Sequence, residues 1–229
     1  MRESLRVAAV ALLLLLTSAV AAGTAPVGFR TAELDGLYEN LMAKPASELE
    51  INQQRQLALL VLMRAGQSGK PRADTLAAAK KQLASILQAS GDDPEIAAIA
   101  ANVRAMEAGL AKSPMTALVI SKEVTRALDR LVRDNPGNGG VLMQRGSNAL
   151  YAPEIAGRGS VAVTDFEELV SGDYALDDAG CYRSMELLGR AYQKVGRNDD
   201  ARKMFKAIAQ SSNPHRRAQG QTLLDGLAQ

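Results

Sequence analysis

Residues 187–213, LLGRAYQKVGRNDDARKMFKAIAQSSN, constrain the fold more than any other stretch of the chain. They read as two short amphipathic helices that cannot bury their apolar faces alone. Gly189 sits among Leu188, Ala191 and Tyr192, and Gly196 closes the first helix. Ala201 opens the packing face of the second, where Phe205 and Ile208 follow at helical spacing before Pro214. Helices patterned this way need neighbouring helices to cover them.

The rest of the chain supplies those neighbours and shows no convincing strand. Thr31 is placed to cap a first helix, with Glu33 near its positive end, and Lys44-Pro45 ends it. Residues 47–66 put Leu57, Leu60, Val61 and Met63 on one side, and Gly66 stops them. Residues 72–89 continue with Leu76, Ala79, Leu83, Ile86 and Leu87 on one face. Asp93-Pro94-Glu95 starts an Ala-rich helix suited to close approach, Ser113-Pro114 repeats the start signal, and Asn135-Pro136-Gly137 turns the chain. One more helix then runs to Pro153. The expected fold class is all-α.

Four apolar clusters recur along this series. LASIL (83–87), LDRLV (128–132), FEELV (166–170) and FKAIA (205–209) begin 45, 38 and 39 residues apart. Together with the motif at 187–213, this spacing resembles the tetratricopeptide repeat (TPR), whose period is about 34, with longer loops here. The resemblance implies antiparallel helix hairpins stacked as a short TPR-like α-solenoid over residues 30–229, with the clearest repeat at 181–214. It also implies a surface that binds and positions other proteins. The third unit departs most, because APEIAGRGS (152–160) is longer than a tight hairpin turn. Its turns look like those of a subset of exported bacterial TPR-like proteins. Arg158 is the one cation of this loop, positioned to reach a carboxylate or phosphate, while a plain connector remains the alternative.

The N-terminus has the layout of a secretory signal peptide over residues 1–21. Arg2 and Arg6 form the positive region, residues 7–16 are an unbroken apolar run, and Ala19-Val20-Ala21 ends it with small residues. The run falls short of the roughly 20 residues that cross a bilayer, so cleavage after Ala21 is expected and the mature chain carries no transmembrane segment. Residues 22–29, small and polar, are expected to be a flexible lead-in. The protein is then periplasmic or secreted. Cys181 is the sole cysteine and leaves no internal disulfide; beside Met185 and Leu188 it reads as a buried small hydrophobe.

Composition narrows the function. A net charge of +2 on the whole chain argues against nucleic acid, and three Phe, five Tyr and no Trp give little for stacking bases or sugars. His215 is the only histidine and stands in a wet basic run with Arg216 and Arg217, so no metal site, cofactor or catalytic residue is assigned. The first helix of the clearest unit places Arg183, Glu186, Arg190 and Lys194 away from Met185, Leu188 and Tyr192. These four and Arg158 are the candidate binding residues, facing an acidic segment or a peptide carboxylate, although a charge set of this size on the four is more often a solvated face. The expected function is a non-enzymatic scaffold or assembly factor for a peptide or helix of another exported or envelope protein. Self-association into a homo-oligomer through Leu223, Leu224 and Leu227, and an envelope hydrolase or its regulator, are the alternatives.

Overall fold

The cap and stop signals become the joints of an all-helical fold. A computed structural model describes residues 32–66, 72–152, 156–174 and 178–227. The expected signal peptide, the 22–29 lead-in, the Thr31 cap and residues 153–155 of the third unit's loop lie outside them. The helices are α1 (Ala32–Met42), α2 (Ile51–Gly66), α3 (Ala73–Ala89), α4 (Pro94–Met106), α5 (Pro114–Asp134), α6 (Gly139–Tyr151), α7 (Gly159–Ser171), α8 (Asp178–Lys194), α9 (Asn198–Ala209) and α10 (Pro214–Leu227). Short 3-10 turns occur at Ala46–Glu48 and Glu107–Leu110, and no strand appears among the described residues. The chain divides into two compact units, residues 1–144 and 145–229.

The start signals act as read. The Asp93 carboxylate accepts from the backbone N–H groups of Glu95 and Ile96, with Pro94 in the first turn. The Ser113 hydroxyl accepts from Thr116 N–H, and Asn213 Oδ1 from His215 and Arg216 N–H. Each such cap satisfies backbone donors that the helix start leaves free and contributes about 1 kcal/mol.

In the first unit, α4 packs on α2, α3 and α5. Its Ile96, Ile99 and Val103 join Leu57, Val61 and Leu83 in the main core. Its Ala98 joins a second cluster with Ile120, Val124, Leu128 and Val141. An Ala-rich helix fits here because small side chains let neighbours approach on two sides, while each buried Ile or Leu supplies about 1.5–3 kcal/mol.

In the second unit, α8 and α9 form a hairpin closed by Gly196 in the left-handed region (φ 78°). Gly189 is the contact point. A Cβ there would stand 2.2 Å from Phe205 Cε1, so only hydrogen fits beneath the ring. Gly146 of α6 repeats this relation to Phe166 of α7, at 2.9 Å from Cε1. Gly220 of α10 lies equally close to the α9 backbone at Ala209. The four recurring clusters fall on α3, α5, α7 and α9, the alternate helices of the series.

Candidate functional site

The five candidate residues all belong to the second unit, where the structure distributes them over buried and half-buried positions. Arg183 is 1 % exposed and Glu186 is buried with it, while Met185 of the same helix is only half-buried. The expectation that Arg183 and Glu186 stand on an outward face is therefore corrected. Helix α8 packs against α7 and α9, and α10 reaches it through Gln219, so more of its circumference is covered than one apolar stripe implies. A charge can enter that interior because its partners enter with it.

Glu186 is the centre of this cluster. Its Oε2 lies 3.3 Å from Arg183 Nη1 and accepts from Gln219 Nε2 at 2.8 Å, and its Oε1 accepts from Arg190 Nε at 2.9 Å. Burial pulls the Arg183 guanidinium below its ordinary value, opposed chiefly by the Glu186 charge. Among the described residues neither the Nε of Arg183 nor the Tyr151 hydroxyl has a hydrogen-bond partner, while Tyr151 lies close enough to favour the Arg183 charge. Only Arg190, with a third of its side chain exposed, offers this cluster's charge to solvent.

Lys194 has a structural role. Its Nζ donates to the carbonyls of Leu150 and Ala152 and so caps the C-terminal end of α6 with a cation. Arg158 is half-buried just before Gly159, the first residue of α7, and its charge bears on Asp165. Asp165 is fully buried and held by a bidentate pair with Arg145, at 2.6 Å to Nη2 and 3.0 Å to Nε. Burial pushes its carboxyl up, against the opposite pull of Arg145. Nothing local in the sequence marks this pair, whose members are twenty residues apart and become partners only when α6 meets α7.

A third network lies at the turn end of the α8–α9 hairpin. Tyr192 donates to Glu167 Oε1 at 2.7 Å, Arg197 reaches the same carboxylate at 3.2 Å, and the Arg197 guanidinium stands 4.2 Å over the Tyr192 ring. Burial and the Glu167 carboxylate push the Tyr192 phenol up to about 12. Cys181 is exposed, correcting the expectation of a buried thiol. His215 is exposed on the first turn of α10. Among the described residues no group of three His, Cys, Asp or Glu is arranged to hold a metal ion.

The first unit contributes a groove of about 420 Å³ lined by Ala73, Leu76, Ala77, Lys80, Glu107 and Leu110. Lys80 and Glu107 close across it at 2.7 Å, so its floor is apolar and its polar rim is neutralised. Such a lining suits an apolar side chain of a peptide better than a charged small molecule.

Comparison with protein-family models, with curated proteins and with solved structures finds no match to this chain.

Proposed function

We propose that the protein is an exported interaction scaffold of TPR-like build, binding a peptide or helix of another envelope protein. The observation that supports this most is the regular use of helix pairs. The recurring apolar clusters occupy α3, α5, α7 and α9, and a glycine of the preceding helix receives the phenylalanine in the last two pairs. Repeated pairs of this kind leave long helix sides as binding surface. Arg190 is the candidate contact that remains accessible, with Arg158 beside the Gly157 turn as the second.

The test is photo-crosslinking in cells, with the reactive side chain at Gln193, exposed next to this cluster, and a control at Lys203 on the outside of α9. One stoichiometric envelope protein captured at position 193 and absent at 203 supports the proposal. Capture of nothing above background sinks it. Crosslinks to a second copy alone favour self-association, for which the half-buried Leu223, Leu224 and Leu227 are the surface to mutate.

A further inference from the structure

Helix α5 carries a second amphipathic pattern on the side turned away from its core. Ile120, Val124 and Leu128 face inward. Opposite them, within ~60° of one line along the helix, stand Met115, Leu118, Val119, Lys122, Arg126, Arg130 and Arg133, with half-buried Asp129 among the cations. All seven are exposed, and the three apolar side chains are 68 %, 47 % and 48 % exposed. The two chemistries are separated along the axis, with an apolar first turn and then a cationic ridge. The carboxylates nearby offset part of this charge, and Lys122, Arg126 and Arg130 outnumber the one carboxylate, Asp129, that shares their sector. Glu123 is held by Arg104, Asp134 by Arg133, and Asp129 is half-buried.

We infer that this face docks on an anionic phospholipid surface, with Met115, Leu118 and Val119 entering the headgroup–acyl boundary and Lys122, Arg126 and Arg130 lying against phosphates. An anionic leaflet offers apolar and phosphate layers a few ångströms apart in depth, which is what the ridge presents. From Met115 to Arg133 the helix rises ~27 Å, so a tilt of about 20° sinks the apolar turn roughly 9 Å below the last cation, the depth at which interfacial helices bury their apolar faces. The cations then stay within about one Debye length of the phosphates. A protein partner would need an apolar turn followed by carboxylates in matching register, whereas a leaflet supplies both anywhere along it. No described helix is long and apolar enough to cross a membrane, so the contact is peripheral.

The experiment is flotation of the full chain with phosphatidylcholine vesicles carrying 0 to 40 % phosphatidylglycerol. The bound fraction should rise steeply with phosphatidylglycerol and fall in high salt. K122E/R126E/R130E should lower the partition coefficient by at least ~100-fold, from about fivefold per cation lost, with repulsion of the new carboxylates adding to it. M115S/L118S should lower it roughly tenfold at fixed lipid composition. All five positions are exposed, so both variants should keep the wild-type helical circular dichroism. The apolar run at residues 7–16, wherever it is retained, binds equally in every variant and does not require phosphatidylglycerol, so the difference between variants isolates α5. A difference between wild type and variants that ignores phosphatidylglycerol, equal binding by the charge-reversed variant, or no binding at all overturns the inference. So does binding of a 20-residue Glu/Leu amphipathic peptide, lost in the triple variant, when vesicles fail to bind. That result assigns the ridge to an acidic protein partner.

Discussion

Gly189→Ala sets two forces of similar size against each other, and the structure says which prevails. In an isolated helix the change is favourable by about 1 kcal/mol, because alanine loses less backbone entropy. In α8 the new methyl carbon would stand 2.2 Å from Phe205 Cε1, 2.8 Å from Cδ1 and 2.9 Å from Cζ. Carbon atoms at rest in a core lie about 3.5–4.0 Å apart, so the ring or the helix must move by more than 1 Å. Phe205 is fully buried and has no solvent to move into. Overpacking costs about 1–3 kcal/mol, and a displacement of this size belongs at the upper end. Subtracting the propensity gain leaves a net loss of ~2 kcal/mol.

The assay is urea unfolding followed by circular dichroism, with thermal melting beside it. A loss of that size lowers the melting temperature of an 85-residue unit by ~8 °C or more. Gly36→Ala in α1 is the control, since nothing lies within 4 Å of a Cβ there; it should stabilise by about 0.5–1 kcal/mol. Phe205→Leu in the Gly189→Ala background should recover part of the loss, with a coupling of ~1 kcal/mol. If Gly189→Ala is as stable as the wild type or more so, propensity has won and the account of close helix approach is wrong.

Arg145→Met should cost about 3–5 kcal/mol at neutral pH by leaving Asp165 buried without its bidentate partner. With Arg145 gone, burial raises the folded carboxyl further above its unfolded value, so the stability from its protonated form is present at low pH and lost as pH rises through the folded value. The variant's deficit in urea midpoint should accordingly be smaller at pH 5 than at pH 7.5. Glu186→Gln should destabilise by a similar 3–5 kcal/mol, because Arg183 keeps a buried charge with no counter-charge facing it. Arg183→Met should be milder in the same assay, since Glu186 retains Arg190 and Gln219. The Tyr192 and Tyr174 phenols, both pushed up to about 12, should titrate late when followed by ultraviolet absorbance. A raised phenol contributes stability that is complete below its ordinary value near 10 and lost as pH climbs through about 12, so Tyr192→Phe should flatten the alkaline fall in melting temperature.

The helices were legible because their signals are local. Asp93-Pro94, Ser113-Pro114, Asn213-Pro214 and Gly196 each act within one turn, and each does in the structure what its residue types require. The alternate placing of the recurring clusters was legible because a repeated packing demand leaves a repeated residue pattern. Neither glycine–phenylalanine contact is marked as a pair in the sequence, although Gly189 and Phe205 both fall within the motif at 187–213. Twenty residues separate Gly146 from Phe166 and sixteen separate Gly189 from Phe205, and the long turn before α7 hides the match. The burial of Arg183, Glu186 and Asp165 was not legible at all. A hydropathy pattern assigns every charge to the outside, and only the arrival of Arg190, Gln219 or Arg145 from another turn or another helix makes the inside tolerable. The cationic ridge of α5 keeps a spacing of three and four residues, but any solvated helix face carries charges at that spacing, so the pattern alone does not distinguish it.

These buried charges change what a binding surface on α8 can consist of. An outward row of Arg183, Glu186, Arg190 and Lys194 would be a ready-made anion clamp, but three of its members are committed inside the fold. Arg183 and Glu186 form the interior cluster into which α10 donates Gln219, and Lys194 closes the end of α6. Glu186 gains Gln219, and Lys194 its two carbonyls, only when the neighbouring helix is in one register, a form of specificity that an apolar contact does not impose. Substituting them in search of a ligand site would therefore unfold or loosen the unit and resemble lost binding. Arg190 differs, because Glu186 keeps Arg183 and Gln219 when Arg190 is removed. A contact surface in the second unit has to be probed at Arg190, Gln193 and Arg158, with unfolding midpoints measured on the same variants.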